Sequence, residues 1–297
     1  MPLEDFIINV YCLVDDMLKK LTNGIKLRSR GFPPKLSDAE VITMDIVGEF
    51  LGMDTDKGIW QYFKSHWVSW FPALGSRTNF VKQSANLWQL KQQMQEMLSK
   101  DLGAMGDDIH MADGFPIPTC HFKRAYFSTL FDNQAAYGYC ASKSETYYGF
   151  KGNLSINSEG IITGITVTPA NIDERESLYD VVSGIQGLLL ADKGLIGDDY
   201  QSEFRATTGV NLQTPTRANM NDPRGKDANR WITSTRRLVE TVIGQLSERF
   251  NIEKVRARDC WHLSNRIARK VLAHTVGAAI NKMMGYPPIQ FEKLGIN

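Results

Sequence analysis

The stretch GLLLADKGLIG, residues 187–197, places one carboxylate directly after a run of apolar residues. Residues 188–191, Leu-Leu-Leu-Ala, are typical of a short strand that is covered on both faces. Asp192 follows this run, and Lys193 and Gly194 break it. Two interpretations are open: Asp192 caps the segment that follows, or the sheet holds this charge in place for chemistry. The second interpretation requires further acids to converge on the same strand end.

Length and composition are those of an ordinary soluble globular protein. The chain has 297 residues, which can bury a large core and exceed the usual size of one domain. Hydrophobic residues make up 42% and charged residues 23%, and no apolar run approaches the roughly 18 residues that span a membrane. The start, Met-Pro-Leu-Glu-Asp, is acidic where a secretory signal would be basic. We therefore expect a cytoplasmic protein.

The four cysteines, at positions 12, 120, 140 and 260, contain no C-x-x-C pair. A zinc site built from Cys120-His121, Cys140 and the Cys260/His262 pair stays open as an alternative. Isolated thiols in a cytosolic chain are more often reduced and structural. The cysteine pattern therefore favours no metal site.

The net charge of +1 conceals an uneven distribution along the chain. Residues 1–110 have a net charge of −2 and residues 111–199 a net charge of −5. Residues 200–297 carry 16 lysines and arginines against 8 acids, a net charge of +8. An acidic middle beside a basic end fits a protein whose acids hold metal while its basic groups hold a polyanion.

The first hundred residues have the periodicity of helices. Ser37 precedes Glu40 by three residues and an apolar run follows, which is the pattern of a capping box. Ser76 is a second candidate N-cap, and the polar side chains of Arg77, Asn79, Lys82 and Gln83 crowd the helix start after it. Such a start is typical of the reading helix of a helix-turn-helix, although short polar helix starts are also common.

From about residue 106 the pattern becomes mixed α/β. The order of predicted elements is three strands, a helix, a strand, a helix, a strand and a closing helix. They are a strand that closes at Asp113, two strands joined at the turn 157–160, a helix after residue 173, the strand 188–191, a helix 198–208, a brief strand in 209–215 and a helix from about 232 to 250. We predict a mixed sheet flanked by helices, preceded by an all-helical N-terminal region.

Two of these strands end on an acid, Asp113 and Asp192. If the strands are neighbours, the two carboxylates lie close together and repel unless a cation lies between them. Mg²⁺ prefers oxygen ligands of this kind. On the closing helix, Glu240 flanks the apolar stripe and Arg236 precedes it by one turn. A third metal ligand and an ordinary surface salt bridge between Arg236 and Glu240 are both open.

The pattern Asp113, Asp192, Glu240, with separations of 79 and 48 residues, resembles that of a DDE transposase with a ribonuclease-H-like core. Several longer stretches resemble bacterial insertion-sequence transposases, in particular the insertion-sequence family numbered 982. They span nearly the whole chain in the family's order: PKLSDAEVITMDIVGEFLGMD (34–54), DGFPIPTCHFKRA (113–125), YGYCASKSETYYGFK (137–151), GITVTPANIDE (164–174), LLADKGLIG (189–197) and RRLVETVIGQLSERFNIEKVRARDCWHLSNRIARKVLAHT (236–275).

The resemblance implies that Asp113, Asp192 and Glu240 hold two Mg²⁺ ions, for which Mn²⁺ can substitute, and that Arg236 precedes the glutamate as in the family. The chain departs from related insertion-sequence families at Gly244 and Ser247, where they often have a lysine. Asn153 and Asp173 also stand where many relatives have histidine. These departures concern auxiliary phosphate contacts rather than the three acids.

We expect a transposase that binds double-stranded DNA, namely the terminal inverted repeats of an element and its target, as a homodimer assembled on DNA in the bacterial nucleoid. Three alternatives remain open. They are a DNA-binding transposase remnant without catalysis, a metal-dependent nuclease and, as the least favoured, a glycosidase with a carboxylate pair. The predicted division is a helical DNA-binding region 1–103, a catalytic domain 104–285 with basic C-terminal helices, and a tail 286–297. The expected DNA contacts are Arg77, Asn79, Lys82, Lys193, Arg236, Arg237, Arg249, Lys254, Arg256 and Arg258. The last six belong to a basic segment, residues 217–258, that also contains Arg217, Arg224, Lys226 and Arg230.

Overall fold

The structure is a computed structural model that describes residues 1–25, 27–28, 31–120, 122–141, 143–216 and 224–296. The chain divides into two compact units. One combines residues 1–98 with residues 246–297, and the other comprises residues 99–245. Within the described ranges, no helix has both the length and the apolar composition needed to cross a membrane.

The first unit is helical, as the periodicity predicts. The capping box at the start of its second helix is confirmed, since Ser37 accepts a hydrogen bond from the Glu40 N–H while the Glu40 carboxylate accepts one from the Ser37 N–H. Ser76 likewise caps the fourth helix. The helices are α1 (Leu3–Thr22), α2 (Asp38–Phe50), α3 (Asp56–His66), α4 (Arg77–Asn86), most of α5 (Trp88–Asp101) and, after the second unit, α10 (Cys260–Met283).

Buried ion pairs join α10 to the N-terminal helices. Arg269 of α10 is fully buried and contacts the carboxylates of Glu49 and Asp56, and Lys270 lies 2.8 Å from Glu49. Buried charges require partners at close range, so these helices pack as one body. The predicted division groups residues 246–285 with the catalytic region, whereas the packing groups them with the N-terminal helices.

The second unit is built on one mixed sheet of six strands in the described residues. β1 (Ile109–Cys120) is antiparallel to β3 (Glu145–Asn157) and parallel to β5 (Leu188–Leu190), which is parallel to β6 (Asn211–Gln213). β2 (Ala136–Cys140) and β4 (Ile162–Pro169) pair with successive portions of β3. The helices of this unit are α6 (Phe122–Ala125), α7 (Glu174–Val181), α8 (Asp198–Thr208) and the main part of α9 (Gly225–Glu248).

The apolar run that precedes Asp192 forms the strand β5, whose Leu189 and Leu190 are fully buried. Leu189 and Ala191 lie in a core cluster with Leu178 of α7, Phe204 of α8 and Leu212 of β6. The predicted turn after β3 is also confirmed, because the Gly160 N–H donates to the Asn157 carbonyl. The mixed sheet flanked by helices, with a helical N-terminal region, confirms the predicted ribonuclease-H-like fold class.

Two predicted boundaries are wrong, and one strand was not predicted. β1 does not close at Asp113 but continues to Cys120, because its prolines at 116 and 118 lie beyond the pairing with β5 over residues 109–111 and so leave that ladder intact. β2 was not predicted, since a five-residue edge strand with two exposed tyrosines has no apolar alternation toward the core. α9 begins at Gly225 rather than at 232, because its first turns are polar and exposed and therefore show no periodicity.

Candidate active site

Neighbouring strands bring Asp113 and Asp192 to the same end of the sheet. In the parallel pairing of β1 with β5, Met111 lies opposite Leu190. Asp113 and Asp192 each follow two residues later, Asp113 within β1 and Asp192 just after β5. The expectation that these strands are neighbours is confirmed.

The two carboxylate oxygens of Asp192 have different partners. Its Oδ2 accepts a hydrogen bond from the Gly194 N–H, 3.4 Å away, at the start of a short 3₁₀ turn over Lys193–Leu195. Its other oxygen, Oδ1, lies 3.4 Å from Nη1 of Arg236. The side chain is 47% exposed. Asp192 therefore caps the turn and still presents one oxygen to a cation.

The cationic group between the two aspartates is the guanidinium of Arg236 on α9. Its Nη2 lies 3.0 Å from Oδ2 of Asp113 and its Nη1 faces Asp192. Arg236 is buried, although it lies in a helix whose neighbouring residue Arg237 is exposed. Two carboxylates held close repel, and one positive group between them relieves that repulsion. The surface salt bridge between Arg236 and Glu240 is not formed among the described contacts.

The carboxyl of Asp113 has an unusual affinity for protons. Burial raises its pKa to about 6, while the Arg236 guanidinium and the hydrogen bond from the Gly114 N–H act in the opposite direction. The nearby charges of Asp192 and Glu174 raise it further. At this carboxyl, burial therefore outweighs the stabilisation that the guanidinium gives to the ionised form.

Glu240 lies one turn after Arg236 and is exposed. The buried stripe predicted for this helix is confirmed, since Val239, Val242 and Leu246 are fully buried. Within the described residues, no three His, Cys, Asp or Glu side chains lie close enough together to hold a metal ion. The structure thus brings together Asp113 and Asp192 but leaves Glu240 apart from them.

A third acid lines the same cavity as the two aspartates, and the sequence did not single it out. Glu174, the first residue of α7, lines a cavity of about 20 Å³ together with Asp113, Asn153 and Asp192. That volume is room for roughly one water molecule. The buried Asn153 Nδ2 has no hydrogen-bond partner among the described atoms. In the sequence, the only signal for this acid was its position directly after the N-cap Asp173. Acids are common in the first turn of a helix because they interact favourably with the helix dipole, so this position did not indicate a functional role.

The predicted DNA contacts of the first unit fall into two groups. Arg77, Asn79 and Lys82 are exposed on α4, whereas Gln83 beside them donates to the Leu36 carbonyl and to Asp38. Gln83 therefore supports the local fold, and the other three remain available to a ligand.

Of the predicted basic residues after α9, one is packed against aromatic rings. The Arg249 guanidinium lies 5.2 Å from the ring centroid of Phe50 and 5.9 Å from that of Phe291, and burial lowers its pKa. Arg249 thus contributes to the core of its unit. Lys254, Arg256 and Arg258 are exposed, and Arg256 lies 3.6 Å from Asp54.

In the second unit, Lys193 and Arg237 are exposed, as are Arg224, Lys226 and Arg230. Arg224 donates to the Gln213 side chain and the Thr214 carbonyl. Arg217 and His121 lie outside the described residues. The four cysteines are thiols, and His262, a member of the alternative zinc set, is bonded to Asp259.

The mixed sheet flanked by helices, whose neighbouring strands hold two aspartates around a cationic group, is of the ribonuclease-H-like class. The chain matches the family model described as "Transposase DDE domain" over residues 103–260, more than half of its length. It belongs to this family of DDE transposases. Comparison with curated protein sequences and with solved structures gives no match.

Proposed function

We propose that this transposase binds the ends of an insertion sequence, cleaves the DNA there and joins the freed ends to a target. The observation that carries the proposal is the placement of Asp113 and Asp192 around one cationic group, just beyond the point where the parallel pairing of β1 with β5 ends. Because both carboxylates are held by one sheet, their spacing is set by the fold rather than by flexible loops.

The donor set fits a divalent cation. Carboxylate oxygens are the ligands that Mg²⁺ prefers, and the Arg236 guanidinium already lies between the two that we assign. We propose Asp113, Asp192 and Glu240 as the metal ligands, with Mn²⁺ as a substitute for Mg²⁺. Two bound ions would activate the attacking oxygen and stabilise the leaving one.

The residues of the chain then have distinct tasks. Asp113 and Asp192 hold their positions through the sheet, and the Arg236 guanidinium can pair with a phosphate oxygen in place of a carboxylate. Water attacks the phosphorus in line, the bond to the 3′ oxygen breaks, and the strand is left with a 3′-hydroxyl. That hydroxyl attacks a phosphodiester of the target and displaces its 3′ oxygen.

DNA binding is assigned to exposed polar and basic side chains. Arg77, Asn79 and Lys82 on α4 would read base edges, since sequence preference needs a few well-placed side chains rather than bulk charge. Phosphates would be held by Lys193, Arg237, Lys254, Arg256 and Arg258. We further propose a homodimer assembled on the element ends and membership of the insertion-sequence family numbered 982.

One observation favours a second candidate, a DNA-binding remnant without catalysis. Glu240 is exposed and lies apart from the two aspartates, so the third ligand is not in place among the described residues. A remnant would bind element ends and cut nothing, with or without Mn²⁺.

Asp192→Asn tests the proposal, because it keeps the size of the side chain and removes its charge. We expect cleavage of an element-end duplex in Mg²⁺ to fall by more than about 100-fold, while binding of the same duplex in EDTA is unchanged. Asp199→Asn, on an exposed acid of α8, is the matched control. Cleavage by Asp192→Asn at the rate of the parent would refute the assignment, and absence of cleavage by the parent would favour the remnant.

A further inference from the structure

The exposed large hydrophobic side chains of the second unit are all aromatic. Those described between residues 99 and 245 are Phe122, Tyr126, Phe127, Tyr137, Tyr139 and Trp231. The first unit, by contrast, also exposes isoleucine, leucine, valine and methionine. Five of the six aromatic residues belong to one segment, residues 122–139, which follows β1 directly.

Strand pairing places several of these rings on one face. Tyr137 of β2 lies opposite Tyr148 of β3, with ring centroids 5.0 Å apart, and Phe122 lies 5.8 Å from Tyr137. Tyr139, two residues on, shares the face of Tyr137 and is 64% exposed. Gly138 points the other way, since a Cβ on it would lie 2.8 Å from the Ala170 Cβ. We name Phe122, Tyr137, Tyr139 and Tyr148 the aromatic face.

The charges around the aromatic face suit phosphates. Lys123 and Arg124 of α6 are exposed and follow Phe122 directly. Over residues 120–148 the sequence has three basic residues, with Lys143 the third, against the acids Asp132 and Glu145. The acids of the candidate active site lie elsewhere on the same sheet, at Asp113, seven residues before the end of β1.

We propose that the aromatic face stacks on unpaired bases of the DNA substrate, while Lys123 and Arg124 hold the adjoining phosphates. This inference rests on the proposed function, which supplies DNA as the ligand. Rings and flanking cations are the groups with which proteins hold unpaired strands, because every base has a π-face. An interface with another protein would use aliphatic side chains as readily as aromatic ones. Among the described residues of this unit, every exposed large hydrophobic side chain is aromatic, which favours stacking on bases.

The test compares binding of two DNA duplexes by the full chain in EDTA. One duplex is fully paired, and the other has a three-nucleotide mismatch carrying the fluorescent base 2-aminopurine. We expect tighter binding of the mismatched duplex and quenching of its fluorescence. Tyr139→Ala should weaken binding of the mismatched duplex by at least about fivefold and leave the paired duplex unaffected.

Two further variants separate stacking from burial of apolar surface. Tyr139→Phe keeps the ring and should retain the preference, whereas Tyr139→Leu keeps apolar area and should lose it. Tyr286→Ala, on an exposed tyrosine of the first unit, is the control. Thermal melting checks that each variant is folded.

Three results would overturn the inference. Equal affinity of the parent for both duplexes would do so while leaving the proposed function intact. Retention of the preference by Tyr139→Leu would show that stacking is not involved. If sedimentation shows a dimer that forms with increasing concentration and is lost in Tyr139→Ala, the aromatic face is a contact between copies of the chain. Failure to bind either duplex would instead count against the proposed function itself.

Discussion

Arg236, which is buried, forms an ion pair with the half-buried Asp113 in which Nη2 lies 3.0 Å from Oδ2, and the same guanidinium also reaches Asp192. The arginine is held by a helix and the aspartate by a strand, so the pair connects α9 to the sheet. A metal ion that binds these aspartates therefore competes with the guanidinium of Arg236.

Arg236→Gln removes that competing charge. We expect the affinity for Mn²⁺, measured by titration calorimetry, to rise by about tenfold, because the carboxylates lose a positive neighbour worth on the order of 1.4 kcal/mol. Without metal the variant should melt below the parent, since the two aspartates then repel. Arg237→Gln, on the exposed neighbour, should change neither property. Weaker Mn²⁺ binding by Arg236→Gln would indicate that the arginine positions the ligands instead.

Asp113→Asn removes a carboxylate whose ionisation the fold opposes. Because the folded pKa is raised from 3.8 to about 6, the parent's free energy of unfolding should fall as pH rises from about 4 to about 6, by up to about 3 kcal/mol. The variant lacks this fall. It should match the parent near pH 4 and melt above it at pH 8, in EDTA. Asp180→Asn, on an exposed acid of α7, should follow the parent throughout. A parent curve without this fall contradicts the prediction.

Glu240→Gln and Glu174→Gln together identify the third acid. If Glu240 completes the metal site, Glu240→Gln should lower metal-dependent cleavage by more than about 100-fold, and Glu174→Gln should have a much smaller effect. The opposite order would assign the site to the acid that already lines the cavity beside Asp113. Cleavage rates of both variants at saturating Mn²⁺ make the comparison, with DNA binding in EDTA as the check on folding.

Buried charges predict that the N-terminal helices do not fold without α10. Lys91 lies 2.6 Å from Asp45 and bonds Asn265 of α10, with the charged pair fully buried. A fragment of residues 1–103 should therefore be unfolded by circular dichroism. In the full chain, Lys91→Met should lower the free energy of unfolding by about 3–5 kcal/mol, while Lys100→Met, at an exposed position, should have little effect. A folded fragment would contradict this prediction and would support the predicted boundary at residue 103.

The salt dependence of DNA binding separates exposed arginines from packed ones. We expect a log–log slope of roughly −4 or steeper for the parent. Neutralising Arg256 and Arg258 should flatten the slope by about 2, since each phosphate contact contributes about 0.9. Arg249→Gln should leave the slope unchanged and lower the melting temperature, because its guanidinium stacks on Phe50 and Phe291. An unchanged slope in Arg256→Gln/Arg258→Gln would show that these side chains do not reach phosphates.

Local patterns in the sequence determined much of the fold. The capping box at Ser37, the strand at residues 188–191 and the buried stripe of α9 all depend on contacts within a few residues or on simple periodicity, so they could be predicted. The approach of Asp113 to Asp192 could be predicted as well, although β1 continues past Asp113, because the strands that carry the two acids need only be parallel neighbours.

Tertiary structure alone decided which cationic and acidic groups meet. On α9, Arg236 and Glu240 flank the same stripe, and only the position of the helix against the sheet determines that the arginine reaches the aspartates. Arg249 and Arg258 are the same residue type nine positions apart, yet one stacks on rings and the other is exposed. Pairings such as that of Arg269 with Glu49 join residues 220 positions apart. Periodicity places a side chain on a face of its own helix, but its partner depends on how distant segments pack.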